Sequence, residues 1–492
     1  MSIESQPSAC MAARSRARPA WRLIPEIDRD TTLVTSVQGV TGRIALCGAV
    51  AVLVALLSLV GIDFSAAPLA MGCAYAGTYR RIFILLATSL LLYRSGFLVD
   101  TPLLERLAAQ EGVTDRISQP LLQSAMLTLV FALFSGLLVL QGNAATALRR
   151  PTMCLLLGFL GLVLATQSTL TVGMPRVLLW SFLVTCQPYL WFLAYALADA
   201  GKEQSPVWQK LSVFHPFWGA TLTPFGKGLS YLRRFEAKTP EELAVTQLKG
   251  VKLAAWTLLL AVGRGCFNEL VHGILWLPTF DDTLLRHIVH DPYPRWIGWT
   301  SLIAYFVEDL LGMTVFGGII VATARLAGFR LLRNTYRPLE SASLADFWNR
   351  YYFYFKELLV DHFFYPTFVR CFRSHRRLRL FFATLVAACL GNLLFHFIRD
   401  IRFVVDMGLW NAVVGEQSHA FYTFVLAMSV AVSQLRRVPQ RATRGWLRGR
   451  LLPCLWVCGF FCILHVFDAP LDREHTLWQR AEFLFYLLGV TT

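Results

Sequence analysis

The stretch "DFWNRYYFYFKELLVDHFFYP", residues 346–366, contains ten aromatic and five charged side chains. So many charges make a poor membrane span, because a charged side chain in the hydrocarbon costs about 3 kcal/mol. The aromatic content is equally unusual for a solvated loop. Such material is tolerated at membrane depth where it is buried in protein or lines a wet cavity. We therefore expect the segment 324–378 to form short helices embedded on the cytoplasmic side of a helical membrane protein.

The chain around this stretch has the composition of a membrane protein. Of its 492 residues, 55% are hydrophobic and 16% are charged, whereas soluble domains carry roughly 25% charged residues. Runs of about 20 apolar residues can cross the hydrocarbon core. The candidate runs lie at 44–62, 64–79, 82–98, 121–140, 152–171, 176–198, 253–277, 297–322, 380–398, 419–435, 451–468 and 477–491. Those at 64–79 and 477–491 are the weakest. The sequence predicts an all-α, polytopic membrane protein with about 10–12 transmembrane helices.

The net charge is +15, and the cations cluster between the apolar runs. Basic clusters occur in the N-terminal segment 1–43, at 370–379 and at 436–450, whereas Asp281 and Asp472 lie in the alternate loops. Because Lys and Arg accumulate in cytoplasmic loops, this alternation predicts a multi-pass protein of the cell (inner, cytoplasmic) membrane with both termini in the cytoplasm. The same rule explains the cations, membrane lipids are the expected surroundings, and no motif that reads nucleic acid occurs. No CxxC pair occurs, and the spacing of Cys454, Cys458 and Cys462 fits small packing residues better than metal ligands, so we expect no metal site.

Local signals add two expectations. In "TPEEL", residues 239–243, a Thr cap, a Pro at the first helical position and two carboxylates in the first turn predict that a short interfacial helix starts here. Arg264, Asn268 and His272 repeat at a spacing of four and, with Glu269 three residues before His272, form a polar stripe on the run 253–277. Glu308 and Asp309 interrupt the run 297–322. Intramembrane charges often mark a pathway, but a Glu269–His272 pair that satisfies itself is an equal alternative.

Residues 324–366 carry a resemblance to a known family. Gly328 with Phe329 is followed by Asn334 with Arg337 and Pro338; the motif continues in Phe347-Trp348-Asn349-Arg350-Tyr351-Tyr352, Val360-Asp361-His362 and Tyr365-Pro366. This pattern resembles the membrane-bound O-acyltransferase (MBOAT) family, particularly its bacterial branch that acylates extracytoplasmic polysaccharides and teichoic acids. That family carries its catalytic histidine some thirty to forty residues further on, and here 396 − 361 = 35 leads to His396. The chain departs from the pattern at Tyr352, where the family has histidine, and at "GNLLFHF", residues 391–397, where the family has Gly-Leu-Trp-His-Gly.

The resemblance covers about half of the chain and implies both a fold and an activity. Transmembrane helices at 44–200 would precede an MBOAT-like acyltransferase core at 201–492. The enzyme would transfer an acyl group from a thioester donor, acyl-CoA or an acyl carrier protein, to a hydroxyl of an extracytoplasmic glycan or polymer, without a bound cofactor. An extracytoplasmic acyltransferase would be a partner. Two alternatives remain: a lipid or a secreted small molecule as the acceptor, and a non-catalytic transporter or scaffold.

Acyl transfer to a hydroxyl needs a base, and the ordinary pKa of histidine, about 6.5, suits that task. His396 is the predicted base, with Asn392 four residues earlier on the same helix face. Asp361 is expected to orient His396, or else to neutralise Lys356 or Arg350. The predicted substrate-binding residues are Arg350 and Lys356, which would hold the donor phosphates, together with Tyr352, His362, Asn392 and His419.

Overall fold

The computed structural model describes residues 23–95, 101–113, 119–143, 148–200, 205–214, 216–219, 222–436, 447–469, 472 and 474–490. Apart from one isolated bridge between Glu236 and Phe329, the regular structure of these residues is helical. Seven helical stretches are long and apolar enough to cross a membrane: Val40–Leu59, Ser124–Gly142, Met174–Ala200, Pro240–Ile274, Arg295–Leu326, Arg376–Arg399 and Gln417–Leu435. The all-α fold is thereby confirmed, and the seven stretches indicate a multi-pass membrane protein.

Within the described residues, the stretches of full span length are fewer than the 10–12 transmembrane helices predicted, and that number stays a prediction. Two further apolar helices, Pro151–Ala165 and Leu452–Phe467, are shorter than a full crossing. The weak candidates at 64–79 and 477–491 form helices of only 9 and 12 residues, Ala67–Tyr75 and Leu477–Leu488. Both are too short for the roughly 20 residues that a crossing needs. Two cytoplasmic termini require an even number of crossings, so this orientation stays a prediction. Residues 1–22 of the basic N-terminal segment and 437–446 of the basic loop lie outside the described residues.

Shorter helices connect and cover these stretches. They are Thr31–Gln38, Arg80–Ser95, Thr101–Gln110, Val207–Leu211, Leu229–Phe235, Phe280–Ile288, Leu344–Tyr351, Phe353–Leu359, Tyr365–Arg370 and Arg402–Gly415. The helix Arg402–Gly415 is kinked at Gly408, whose φ of 80° lies in the left-handed region. Glycine adopts that conformation without a steric cost, so the chain can turn back towards Gln417–Leu435.

The two longest helices, Pro240–Asn268 and Arg295–Leu326, pack along each other. Gly250 makes the close approach possible, because a Cβ there would lie 3.1 Å from the carbonyl oxygen of Ala322. Small residues bring membrane helices together in this way. The predicted helix start is confirmed: the Thr239 hydroxyl accepts a hydrogen bond from the Glu242 N–H at 3.1 Å. The expected short interfacial helix is wrong, since this helix continues without a break to Asn268.

The aromatic stretch 346–366 is helical and partly buried in protein. Phe347 and Tyr354 are both 1% exposed. Asn334 fixes the break between the first two short helices, because its backbone oxygen accepts from Phe353 N–H at 2.9 Å and its Oδ1 accepts from Tyr354 N–H at 3.3 Å. These bonds use backbone groups that a helix end would otherwise leave unpaired. The stretch therefore forms short packed helices, as its composition predicts, while its depth in a membrane stays a prediction.

Candidate functional site

The residues singled out in the sequence lie in two separate clusters. The histidine cluster contains His396, His419, Asp468, His465 and Asp309. The lysine cluster contains Lys227, Glu357, Asp361, Lys356 and Tyr195. Asp361 is bonded to Tyr195 and Lys227, and no hydrogen bond joins it to His396, both of which the structure describes. The expectation that Asp361 orients His396 therefore finds no contact to support it.

His396 and His419 form the centre of the histidine cluster. Their ring centroids are 4.3 Å apart. His396 lies in the helix Asn392–Arg399, and His419 lies in the first turn of Gln417–Leu435. His419 is 1% exposed, and its Nδ1 lies 3.6 Å from Oδ1 of Asp468. Two imidazoles this close repel each other when both are charged. The contact therefore disfavours the state in which both rings are charged.

Asp309 lies on the far side of the same cluster. It is near the middle of the 32-residue helix Arg295–Leu326, accepts a hydrogen bond from the Tyr351 hydroxyl, and lies 3.3 Å from Nε2 of His465. His465 Nδ1 is 2.7 Å from the carbonyl oxygen of Phe461. A carbonyl only accepts, so Nδ1 of His465 carries a proton. A hydrogen bond between Nε2 and Asp309 then needs a second proton, which the imidazole and the carboxyl share.

An unusual number of buried polar atoms around His396 and His419 have no hydrogen-bond partner among the described residues. They are Asn392 Oδ1, His396 Nδ1, both ring nitrogens of His419, both carboxyl oxygens of Glu416, and Ser418 Oγ. All five residues lie on the two adjacent helical segments 392–396 and 416–419. Buried polar groups are normally satisfied, and each exception calls for an explanation such as water or a ligand. The concentration of exceptions here indicates a polar site inside the bundle.

Two carboxyls at the edge of this site have shifted pKa values. Burial raises the pKa of Glu416 to about 7, and the charge of Asp400 adds to the shift. Burial also acts against the charge of Asp468, but His419 and His465 outweigh it and lower the pKa of Asp468. The site thus holds one carboxyl that is often protonated near neutral pH and one that stays ionised.

The lysine cluster is a compact set of ion pairs. Lys227 Nζ lies 2.6 Å from Glu357 Oε2 and 2.8 Å from Asp361 Oδ2, and Lys356 also pairs with Glu357. The Tyr195 hydroxyl donates to Asp361 at 2.9 Å. Burial acts against the charge of Lys227, but Asp361 and Glu357 outweigh it and raise the lysine pKa. Two lysines and two carboxylates neutralise each other, so the loss of any one of them would leave an uncompensated charge in the bundle.

Several residues of the predicted site pair with partners other than the expected ones. Asp361 was expected to neutralise Lys356 or Arg350, but its cation is Lys227. Arg350 pairs with Asp346, at 2.8 Å on the same helix. Tyr352 donates its hydroxyl to Thr223 Oγ1 at 3.2 Å. Because Lys356 and Arg350 already have carboxylate partners, they are poorer candidates for binding donor phosphates than the sequence suggested.

His362 connects the two clusters through a layer of aromatic rings. Its ring lies 4.5 Å from that of Tyr195 and 6.1 Å from that of Trp191. Trp191 stacks on Phe395 at 5.8 Å, and Phe395 is the neighbour of His396 in sequence. The lysine cluster and the histidine cluster therefore lie on opposite sides of a packed layer that contains Trp191 and Phe395, both buried.

Helix irregularities coincide with these residues. The described π-helical turns are Glu269–Ile274, Val360–Phe364, Val386–Gly391 and Leu447–Leu451. The first contains His272, the second contains Asp361 and His362, and the third ends directly before Asn392. Such turns are often found at functional sites because they re-aim side chains. Sequence reasoning had no signal for them.

Outside the two clusters, His272 pairs with Glu308 across two helices at 2.8 Å. The alternative in which His272 pairs with Glu269 is therefore wrong. Sequence reasoning noticed Asp309 but missed His465 and Asp468 as parts of the site. The available signal was two ionisable residues three positions apart at the end of the apolar run 451–468.

No protein-family model matches this chain, and no curated protein matches it in sequence. Function must therefore be argued from the geometry of the clusters and from the motif residues.

Proposed function

We propose that the protein is a membrane-bound O-acyltransferase in which His396 is the general base. The observation that carries the proposal is the His396–His419 pair, with ring centroids 4.3 Å apart and an unpartnered Nδ1 on His396. A neutral imidazole with a free nitrogen inside an apolar bundle is suited to take a proton from a hydroxyl. The resemblance of 324–366 to the MBOAT family supplies the class of reaction.

In the proposed reaction, the acceptor hydroxyl gives its proton to His396 while its oxygen forms a bond to the thioester carbonyl carbon. The carbon–sulfur bond then breaks, and the leaving thiolate takes the proton from His396. The products are an ester and a free thiol. Asn392, one turn earlier on the same helix face, would donate its amide N–H to the oxyanion. His419 would spread the positive charge that develops on His396, because Asp468 lies 3.6 Å behind it.

The proposed donor is acyl-CoA or an acyl carrier protein, and the proposed acceptor is a hydroxyl of an extracytoplasmic glycan or polymer delivered with an extracytoplasmic acyltransferase partner. These assignments rest on the family resemblance. The mid-span position of Asp309 in Arg295–Leu326 supports chemistry within the membrane rather than at either surface. Asp361 has a positioning role in this proposal, because it holds the short helix that carries His362 through Lys227 and Tyr195.

The experiment that tests the proposal measures ester-linked acyl groups in the cell envelope. Acyl groups released by hydroxylamine are quantified by mass spectrometry in cells that lack the protein and in cells that express wild type, His396→Gln or His272→Gln. His272→Gln is the matched control, since it changes a histidine that is paired with Glu308 outside the histidine cluster. We expect His396→Gln to fall to the level of cells without the protein and His272→Gln to stay within about twofold of wild type. Equal acylation by His396→Gln at equal protein level would exclude His396 as the base.

A further inference from the structure

A cavity of about 880 Å³ opens beside the lysine cluster. It lies between the start of Pro151–Ala165, the end of Leu190–Ala200, the helix Leu229–Phe235 and the segment 361–370. Four arginines line it, and we call it the arginine cavity: Arg149, Arg150, Arg234 and Arg370. A volume of this size is typical of pockets that take small molecules.

The arginines give the cavity an uncompensated positive charge. Within the part of the chain that the structure describes, none of the four has a carboxylate partner within ion-pair distance. Lys227 also lines the cavity, but Asp361 and Glu357 neutralise it. Asp199, the other acidic lining residue, accepts a hydrogen bond from the Ser230 N–H at 3.2 Å. The lining thus holds five cations and two carboxylates, an excess of three positive charges (5 − 2 = 3). Arginines in such an excess are suited to phosphate, which they bind through charge-assisted hydrogen bonds.

A helix N-terminus points into the same space. Pro151–Ala165 has 15 residues, begins with Pro151, and has no side chain that caps its first turn. Its first residues, Pro151, Thr152 and Met153, line the cavity. Uncapped N–H groups and the positive end of the helix dipole favour an anion at this point. The chain just before this helix is held by the Gln141 side chain. Gln141 Oε1 accepts a hydrogen bond from the Leu148 N–H at 2.9 Å, and Gln141 Nε2 donates one to the Leu148 carbonyl oxygen at 3.1 Å.

The second, independent sign of a ligand is a buried nitrogen that lacks a partner. His362 is 7% exposed, lines the cavity, and has no hydrogen-bond partner at Nε2 among the described residues. Its Nδ1 lies 3.2 Å from Thr152 Oγ1, so the histidine is fixed to the start of the helix. Burial lowers the pKa of His362 to about 3, with Lys227 adding to the shift. The ring is therefore neutral, and in the tautomer in which Nδ1 accepts from the Thr152 hydroxyl, Nε2 carries the hydrogen and can donate it to an anion.

We infer that the arginine cavity binds a phosphate group of an amphipathic ligand. The phosphate would lie between Arg149, Arg150 and the start of Pro151–Ala165, and the apolar part would lie along Met153, Leu197 and Pro366, which line the same cavity. Two sources carry this chemistry: the head group of a membrane phospholipid, and the phosphate of a soluble donor. The inference is independent of His396, because no residue of the histidine cluster lines the cavity.

The test measures binding by purified protein in neutral detergent, with no turnover involved. One arm titrates inorganic pyrophosphate as the soluble phosphate, and the other titrates dioctanoyl phosphatidylglycerol against dioctanoyl phosphatidylcholine. Saturable binding of pyrophosphate assigns a soluble ligand, and saturable binding of phosphatidylglycerol alone assigns a lipid head group. Both outcomes support the inference. No saturable binding in either arm would overturn it.

A matched pair of variants separates the cavity from general surface charge. Arg149→Gln/Arg150→Gln removes two adjacent arginines from the cavity, whereas Arg376→Gln/Arg377→Gln removes two adjacent exposed arginines that do not line it. We expect the cavity variant to raise the Kd at least tenfold and the control variant to change it less than twofold. An equal loss in both variants would mean that charge alone attracts the ligand, and it would refute a defined site. His396→Gln should bind as tightly as wild type, so failure of this inference and failure of the acyl-transfer proposal are distinguishable.

Discussion

Replacing Glu416 by glutamine should make the protein more stable at high pH and leave it almost unchanged at low pH. Glu416 is 5% exposed, and neither of its carboxyl oxygens has a partner among the described residues. Burial and the charge of Asp400 raise its pKa from 4.5 to about 7. At 1.36 kcal/mol for each pH unit, this difference corresponds to about 3 kcal/mol.

The sign follows from proton linkage. The folded state holds the Glu416 proton more tightly than the unfolded state does, so stability falls as the pH rises from 4.5 to about 7 and then levels off. Wild type should therefore lose about 2 to 3 kcal/mol between pH 5 and pH 8 through this group. Glu416→Gln keeps the shape and carries no charge, so it should lack this loss.

The assay is reversible unfolding in mixed micelles of dodecylmaltoside and sodium dodecyl sulfate, followed by far-UV circular dichroism at pH 5 and pH 8. The free energy of unfolding of Glu416→Gln should exceed that of wild type by about 3 kcal/mol at pH 8 and by less than about 1 kcal/mol at pH 5. Glu340→Gln is the control, because Glu340 lies on the surface and forms an exposed pair with Arg337. An equal difference between Glu416→Gln and wild type at both pH values would refute the reasoning.

Three further predictions concern packing, charge and topology. Lys227→Met should lower the free energy of unfolding by about 3 kcal/mol, because Asp361 loses its cation and Glu357 keeps only Lys356. A loss below about 1 kcal/mol in the same unfolding assay would contradict this. Gly250→Leu should separate the two longest helices and cost more than about 2 kcal/mol. Gly48→Leu, at a position where an added Cβ would meet no atom within 4 Å, should be neutral within about 0.5 kcal/mol; equal effects would argue against close packing at Gly250. In a background without native cysteines, a membrane-impermeant maleimide should label Trp276→Cys in intact cells and Arg377→Cys only after permeabilisation; labelling of both from outside would overturn the orientation.

Sequence patterns were most informative where structure is local. The start of Pro240–Asn268 could be predicted because the cap, the proline and the two carboxylates are adjacent in sequence. The positions of the long apolar helices could also be predicted, since each needs only about 20 neighbouring residues. The lengths of the apolar helices were harder to predict, because hydropathy does not distinguish a short buried helix such as Ala67–Tyr75 from a complete span.

The partners of charged residues could not be predicted, because they depend on contacts between distant segments. Lys227 and Asp361 are 134 positions apart (361 − 227 = 134) and meet only in the folded bundle. His272 had a candidate partner three residues away in Glu269, but the contact with Glu308 was made instead. His396 and His419 were both singled out from the sequence, but their direct contact, with ring centroids 4.3 Å apart, could not be predicted because it depends on how the two helices pack.

The most direct test of the proposed chemistry is the rate of thiol release from acyl-CoA in isolated membranes that retain the native acceptor. Ellman's reagent reports each thiol, and a series of acyl chain lengths covers the unknown donor. At equal amounts of folded protein, His396→Gln should lower the rate by about 10² to 10⁴, the usual contribution of a positioned base. A His396→Gln rate within about twofold of wild type would contradict the account, because an imidazole that can be lost without effect is not the base.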